Sequence, residues 1–380
     1  MTRALRAALA LSLLAGAVEA QSSQFGIRGL GIPLRPLSVR AKATGGGFGL
    51  FDAESAINPA AIAGARFVTA SFQTVQSWSR SENPVGSANV QDNRYPGVVV
   101  SGPIGGTNLA LAFSVNGYTD RNFVLGSTDT LVLRDVAVEV HDTLRSQGGI
   151  SDLRVAVGWR RSNALGFGVG FHLITGSNRI DSRRAFSDSK YLGASEAFTY
   201  SYLGFGLSGG VTLRVGTALT LGGVVRFDEK LRVDRDTSRV GTTDLPTTVS
   251  GGARLQVGPR VLLSGSALFR NWSVADKDLI DQGGIGSVNI TEFNAGAEIL
   301  TDVRRPSRRP IRLGIHHATL PFPFQVGEKT SETGVSIGTG MRFVGDRAGV
   351  DLALQRIWRK GATGFSETAT LLTVGVSLRP

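Results

Sequence analysis

Residues 203–227 read LGFGLSGGVTLRVGTALTLGGVVRF. Taken every second position, Leu203, Phe205, Leu207, Val211 and Leu213 fall on one face, and Gly204, Gly206, Ser208, Gly210 and Thr212 on the other. After a tight turn at Arg214-Val215-Gly216, Leu219, Leu221, Val225 and Phe227 alternate with Thr220, Gly222 and Arg226, Val224 being the exception. Period-two alternation on both sides of a short connection is a β-hairpin. A soluble sheet hides its apolar face under a second layer. Here the opposite face carries little but Gly, Ser, Thr and Arg, the pattern of a wall with lipid outside and a polar interior. The stretch predicts a hairpin of a transmembrane antiparallel β-barrel.

The chain of 380 residues is long enough for one large barrel or two soluble domains. Only 41% is hydrophobic, and no segment after the N-terminus approaches 18 uninterrupted apolar residues, so helical spans are not expected. Glycine reaches 50 residues without the every-third period of collagen. With no cysteine there is no disulfide scaffold, thiol chemistry or Cys-based zinc site. Arg3 and Arg6, the apolar run Ala7 to Ala17 and Val18-Glu19-Ala20 before Gln21 read as a secretory signal peptide over residues 1–20. Export without an anchoring helix leaves the periplasm, the medium or the bacterial outer membrane, and the alternation selects the last. The formal charge of +11 is almost all arginine and forms no basic cluster, so nucleic acid is not an expected partner. Arginines lining a lumen or meeting anionic outer-leaflet lipid account for it.

Residues 21–66 do not read as strand: Pro33, Pro36, Gly45-Gly46-Gly47 and Gly49 break any ladder. Asn58 reads as an N-cap with Pro59 at the first helical position, and Gly64 ends the turn. From Phe67 onward, strands are predicted at 67–79, 95–104, 107–118, 148–161, 164–178, 195–213, 217–232, 246–257, 260–274, 289–303, 310–321, 331–344, 348–360 and 365–378, fourteen in all. Connections after the even-numbered strands are short and the others mostly long and polar, the parity of inner turns and outer loops. Thr128 to Leu144 also alternates and is placed as an ordered excursion of the second outer loop. Trp78, Tyr95, Tyr118, Trp159, Trp272 and Trp358 lie near strand ends, where interface girdles stand. Fourteen strands enclose a lumen too wide for inward side chains to fill, and Gly166, Gly168, Gly170, Gly204, Gly206, Ser264 and Ser266 leave it wider. Residues 21–66 form the one sizeable non-strand segment able to plug it. The predicted division is signal peptide 1–20, hatch 21–66 and barrel 67–380.

Gly29-Leu30-Gly31, Asp52-Ala53 and Asn58-Pro59-Ala60 precede the first strand, and Arg312-Leu313-Gly314, the Pro321/Pro323 pair and Ser336-Ile337-Gly338-Thr339 follow in order. Together they resemble the FadL-type (FadL/TodX-like) outer-membrane transporters of long-chain fatty acids and other hydrophobic compounds. The resemblance implies that Gly29, Leu30, Gly31, Asp52, Asn58, Pro59 and Ala60 belong to a hatch inside the lumen. It also implies that a hydrophobic ligand diffuses passively past it and leaves sideways through a gap at a kinked third strand, where Asn116-Gly117 would sit. Barrels of that kind usually end on an aromatic residue read by the barrel-assembly machinery, an expected partner; this chain ends Leu378-Arg379-Pro380.

Arg154, Arg226, Arg254, Arg270, Arg312 and Arg342 are predicted to point inward, to neutralise a carboxylate or to hold Asp52 and Glu54. A charge in a partly dry lumen must be paired, and pairing with Glu298, Asp351 and the hatch is favoured over ligand binding. Gly206-Leu207-Ser208-Gly209-Gly210 satisfies GxSxG and Gly204, Gly206 and Gly209 satisfy GxGxxG, but neither lies at a strand-to-helix turn. His141, His172, His316 and His317 show no metal spacing. No enzyme, metal or cofactor is expected. A barrel of the same build acting as a secretion or surface-attachment partner, and a general porin, are the alternatives.

Overall fold

The computed structural model describes residues 23–84, 86–302, 309–361 and 364–379. The signal-peptide reading falls on residues 1–20, outside them.

Among the described residues, eighteen strands run β1 (Ile32–Pro33), β2 (Thr69–Asn83), β3 (Gly86–Pro103), β4 (Leu109–Asp120), β5 (Phe123–Leu133) and β6 (Val136–Arg160), then β7 (Leu165–Phe186), β8 (Ala194–Val215) and β9 (Leu219–Asp228). They continue through β10 (Leu231–Arg235), β11 (Ser238–Thr243), β12 (Thr248–Val257), β13 (Val261–Arg270) and β14 (Ile290–Ile299). The last four are β15 (Ile311–Leu320), β16 (Thr330–Phe343), β17 (Ala348–Lys360) and β18 (Ser366–Leu378). Fourteen of them form the wall, in the antiparallel order β2-β3-β4-β6-β7-β8-β9-β12-β13-β14-β15-β16-β17-β18, and β18 pairs back onto β2 to close the cylinder. The outward set includes Leu111, Phe113, Val155, Val169, Phe171, Leu207, Ile315 and Leu354, all exposed. An apolar belt on a closed barrel, with every wall strand paired, is what a bilayer demands of a spanning sheet.

The excursion expected over residues 128–144 is a hairpin, β5 against the start of β6 from Phe123↔Ser146 to Leu133↔Val136, which extends from the wall and adds no wall strand. Its turn residues Arg134 and Asp135 are in the left-handed region (φ 50° and 65°). The strand expected over 260–274 stops at Arg270, because Trp272–Ala275 and α2 (Asp276–Asp281) turn inward. Trp272 is therefore buried against Phe322, and Tyr118 is also buried; neither is an interface aromatic, whereas Trp78, Tyr95, Trp159 and Trp358 are exposed. The connection after the tenth wall strand, 300–310, is longer than the other inner turns, since β14 ends at Ile299 and β15 begins at Ile311.

Residues 23–65 lie against the inner face of this wall. Ser38 caps the short helix α1 (Val39–Ala43), its hydroxyl accepting from the Ala41 amide at 3.0 Å. Asn58 caps the turn Pro59–Gly64 and donates to the Leu50 carbonyl. The inward glycines are where this segment rests. A Cβ on Gly168 would lie 2.3 Å from the Pro59 backbone, one on Gly210 2.0 Å from Asn58 Oδ1, one on Gly314 2.1 Å from the Gly45 nitrogen, and one on Gly296 2.3 Å from the Thr44 carbonyl oxygen. Gly158, Gly338 and Gly375 meet Ile62, Ala43 and Val39 in the same way. The glycine face therefore admits another stretch of backbone at van der Waals distance.

Candidate ligand cavity and wall opening

The ladder between β3 and β4 is short, running only from Gly97↔Asn116 to Pro103↔Ala110. Two bulges end it. On β3, Tyr95 and Pro96 stand opposite the single residue Thr74 of β2; on β4, Tyr118 is an extra residue between Gly117↔Ser151 and Thr119↔Ile150. A bulge bends its strand and breaks the local pairing, and Pro96 has no N–H to give. The freed edge of β4 is taken by β1, through Ile32↔Asp120 and Pro33↔Thr119, with the Leu34 amide donating to the Tyr118 carbonyl at 2.9 Å. Across the parting, Arg94 meets Asp120 at 2.9 Å, and on its own strand it meets Asp92 at 2.8 Å.

Behind the parting lies a cavity of about 360 Å³, bounded by Asn93 and Tyr95 on β3 and by Asn116 and Gly117 on β4. Tyr95, one of the lining residues, is 61% exposed and stacks on Phe72. Leu37, Val75, Ile357 and Leu371 form its apolar part. Its four cations are not equivalent. Arg35 bridges Glu332 (2.8 Å) and Glu292 (3.5 Å), Arg94 bridges two aspartates as above, and Arg359 pairs with Glu332 (2.7 Å) and Glu367. Lys42, on α1, has no carboxylate within 4 Å among the described residues, and its Nζ donates to Gln73 Oε1 at 3.0 Å. Burial, reinforced by the charges of Arg94 and Arg35, pushes the Lys42 ammonium down to about 7. A second cavity of about 80 Å³ lies beyond Pro33–Leu37, against Leu50, Ile57, Arg226 and Arg270.

The residues singled out from the sequence are placed as follows. Gly29 and Gly31 have φ of 54° and 94°, and a Cβ on either would strike the Phe322 ring or the Asp120 carbonyl. Leu30 joins Tyr118, Leu279, Trp272 and Phe322 in an apolar cluster. Asn116 packs its amide over Gly97, and Gly117 is the last residue before the β4 bulge. Arg312 binds Glu298 (2.7 Å) and Asp351 (2.6 Å), and Arg342 binds Asp351 (3.0 Å). Arg226 binds Asp152 (2.6 Å) and Asp228 (2.8 Å), Arg270 donates to Thr248 Oγ1, and Arg254 lies over the Phe51 ring. Arg154 is wholly buried, and its guanidinium has no hydrogen-bond partner among the described residues. The six do not converge on one ligand position. Asp52 accepts from Ser38 Oγ and the Glu54 amide, not from a wall arginine. The cross-pairs run the other way, from Arg35 and Arg40 of the N-terminal segment to the wall carboxylates Glu292, Glu332 and Glu298. Sequence reasoning missed Lys42 and the Tyr95-Pro96 bulge; a proline inside an alternating strand was the available signal for the second.

A closed fourteen-stranded barrel with an apolar belt and a chain segment against its inner face is a bacterial outer-membrane architecture. No protein-family model matches the sequence, and no curated protein matches it. Among solved structures, the chain is similar to a FadL homologue of Pseudomonas aeruginosa, with TM-score 0.61, 12% identity, and 92% of this chain and 99% of that one covered. The toluene transporter TodX of Pseudomonas putida matches with TM-score 0.58 and 13% identity over 91% of this chain and 99% of that one. The CymD monoaromatic hydrocarbon channel matches with TM-score 0.56 and 13% identity over 92% and 98%. At these identities the likeness is one of fold: the chain has the fold of the FadL-type channels.

Proposed function

We propose that the protein is an outer-membrane channel admitting hydrophobic small molecules, long-chain fatty acids among them, by passive diffusion. In this reading residues 1–20 direct export, the barrel-assembly machinery inserts residues 67–380, and residues 21–66 act as the hatch. A ligand rests in the 360 Å³ cavity with its tail against Leu37, Val75, Ile357 and Leu371. Lys42 receives a carboxylate head, being the cation there without an acidic partner. The ligand then leaves between β3 and β4 into outer-membrane lipid, a passage that needs no catalytic step and no cofactor. The observation that carries this reading is the parting of β3 from β4 above Gly97↔Asn116, with the cavity directly behind it.

The test joins the two sides of the parting. Arg94→Cys/Asp120→Cys, whose native side chains meet there, is linked by a short bismaleimide in reconstituted vesicles. Oleate uptake is expected to fall to the background of empty vesicles when linked and to persist before linking. Undiminished uptake by the linked protein would remove the lateral route. Conductance unchanged by deleting residues 21–66 would remove the hatch and favour a general porin.

A further inference from the structure

Three inward residues of adjacent strands form a hydrogen-bonded chain that passage of a ligand does not use. The carboxylate of Asp152 on β6 accepts from His172 Nδ1 on β7, at 2.9 and 3.0 Å to its two oxygens. With Nδ1 donating, Nε2 of the neutral ring accepts from Ser208 Oγ on β8 at 2.9 Å. Arg226 Nη1, at 2.6 Å, holds Asp152 from its other side. All three residues of the chain are buried. A hydroxyl on an imidazole that is itself oriented by a carboxylate is the arrangement that activates a serine, and it is defined by geometry and roles rather than by fold. Ser208 is also the serine of the GxSxG match, which lacks a strand-to-helix elbow but finds its partners on the neighbouring wall strands.

A fourth group points the same way. Arg154, opposite His172 in the β6–β7 register, is wholly buried, and none of its three guanidinium nitrogens has a hydrogen-bond partner among the described residues. An unpaired buried cation is expensive unless an anion meets it. Gly170 marks where the groups converge: a Cβ there would lie 2.6 Å from Ser208 Oγ and 3.5 Å from both His172 Nε2 and Arg154 Cδ. The Ser208 hydroxyl thus fills the place that a side chain at position 170 would take, beside the imidazole and the Arg154 side chain.

We propose that Ser208, His172, Asp152 and Arg154 form an acyl-transfer site that hydrolyses esters of hydrophobic acids reaching the lumen. Ser208 Oγ attacks the ester carbonyl carbon while its proton passes to His172 Nε2, and the oxyanion formed faces Arg154. The carbonyl re-forms as the ester C–O bond breaks, and the alcohol leaves with the proton from His172. Water then adds to the acyl-serine, giving its proton to His172; the proton returns to Ser208 Oγ as the carboxylic acid departs. Asp152 is a positioning residue, acting through the His172 ring. The Asn58-Pro59 turn rests on Gly210, two residues along β8 from the nucleophile, so substrate reaches Ser208 when that turn lifts. The site stands independently of the transport reading.

The full-length protein in detergent is treated with a fluorophosphonate probe, and p-nitrophenyl butyrate hydrolysis is followed alongside. One adduct, mapped to Ser208, is expected, lost in Ser208→Ala and His172→Gln, with ester turnover falling on the order of 10³-fold. Arg154→Met is expected to lower kcat with KM nearly kept. Asp152→Asn is expected to shift the pH profile, which a merely structural carboxylate would not do. Asn58→Gly is expected to speed adduct formation at the same serine. Ser208→Ala removes a single hydroxyl, and its heat-modifiable migration on gels reports folding, so it decides the matter if His172→Gln does not fold. No adduct at Ser208, or hydrolysis unaltered by Ser208→Ala, overturns the proposal. Oleate uptake in Ser208→Ala should match wild type, which separates this test from that of the channel.

Discussion

Two sides of the same wall are built differently. β7 and β8 pair without a break over twenty positions, from Leu165↔Leu213 to Arg184↔Ala194, while β3 and β4 pair over seven and then separate. On the long-laddered side the inner face is glycine, and the N-terminal segment lies directly on it at Gly168 and Gly210. On the parted side that segment supplies β1 to the abandoned edge and lines a cavity. Continuous pairing gives a floor on which backbone can rest; interrupted pairing gives room for a guest. Glycine makes the one side a seat, and two bulges placed face to face open the other.

The largest effect should come from spoiling the floor. Gly168→Val puts a branched side chain where the Pro59 backbone lies 2.3 Å from an ideal Cβ. It should cost about 2–3 kcal/mol by overpacking, seen as a lower unfolding temperature on semi-native gels and a raised single-channel conductance. Gly209→Ala, one residue from Gly210 with nothing within 4 Å of its Cβ, should change neither. If both substitutions behave alike, the floor is not what holds the segment.

On the parted side, Lys42→Met should weaken oleate binding about tenfold, roughly 1.4 kcal/mol, near the worth of a hydrogen bond to a charged group. Binding of a neutral hydrocarbon of equal size should be unchanged, and tryptophan quenching titrations would compare the two. The pH dependence carries a definite sign. With its value depressed to about 7, Lys42 is cationic below that pH and neutral above it. Oleate affinity should therefore fall as pH rises through 7. Folding stability should move oppositely between about 7 and the unperturbed 10.5, because there the unfolded chain binds the proton that the folded one has lost. Both trends should vanish in Lys42→Met. The smallest effect belongs to Arg94→Lys, which keeps a cation between the buried carboxylates of Asp92 and Asp120. It should cost about 1 kcal/mol, roughly the one hydrogen bond that a lysine cannot replace, and modestly raise the uptake rate in vesicles.

The wall is legible because alternation is a local property: the pattern places β15 at 310–321 against Ile311–Leu320, and β17 at 348–360, its observed bounds. The inward glycines were equally visible, yet they read as empty width, since nothing local tells which backbone will lie against them. Tyr118 and Trp272 carry the period of their strands up to the bulge or turn that redirects them inward. Bulges arise from the register of two neighbours, so a single strand does not announce them. The ion pairs were half legible. That Glu298 and Asp351 would meet wall arginines follows from burial cost, but Arg35 and Arg40 reach the wall only because the glycine seats bring α1 and its approach there.

The two residues of β1 have a mechanical consequence. Wherever a sheet margin borders hydrocarbon, each orphaned amide or carbonyl costs several kcal/mol, and here the interior tail acts as a gasket for that margin. Pulling the tail out would bare the β4 edge, so the slot beside it and the stopper within are fastened to each other. On the proposed route, a guest leaving sideways would break no rung of the cylinder and would leave β1 on its edge, so the membrane would stay sealed to ions during passage.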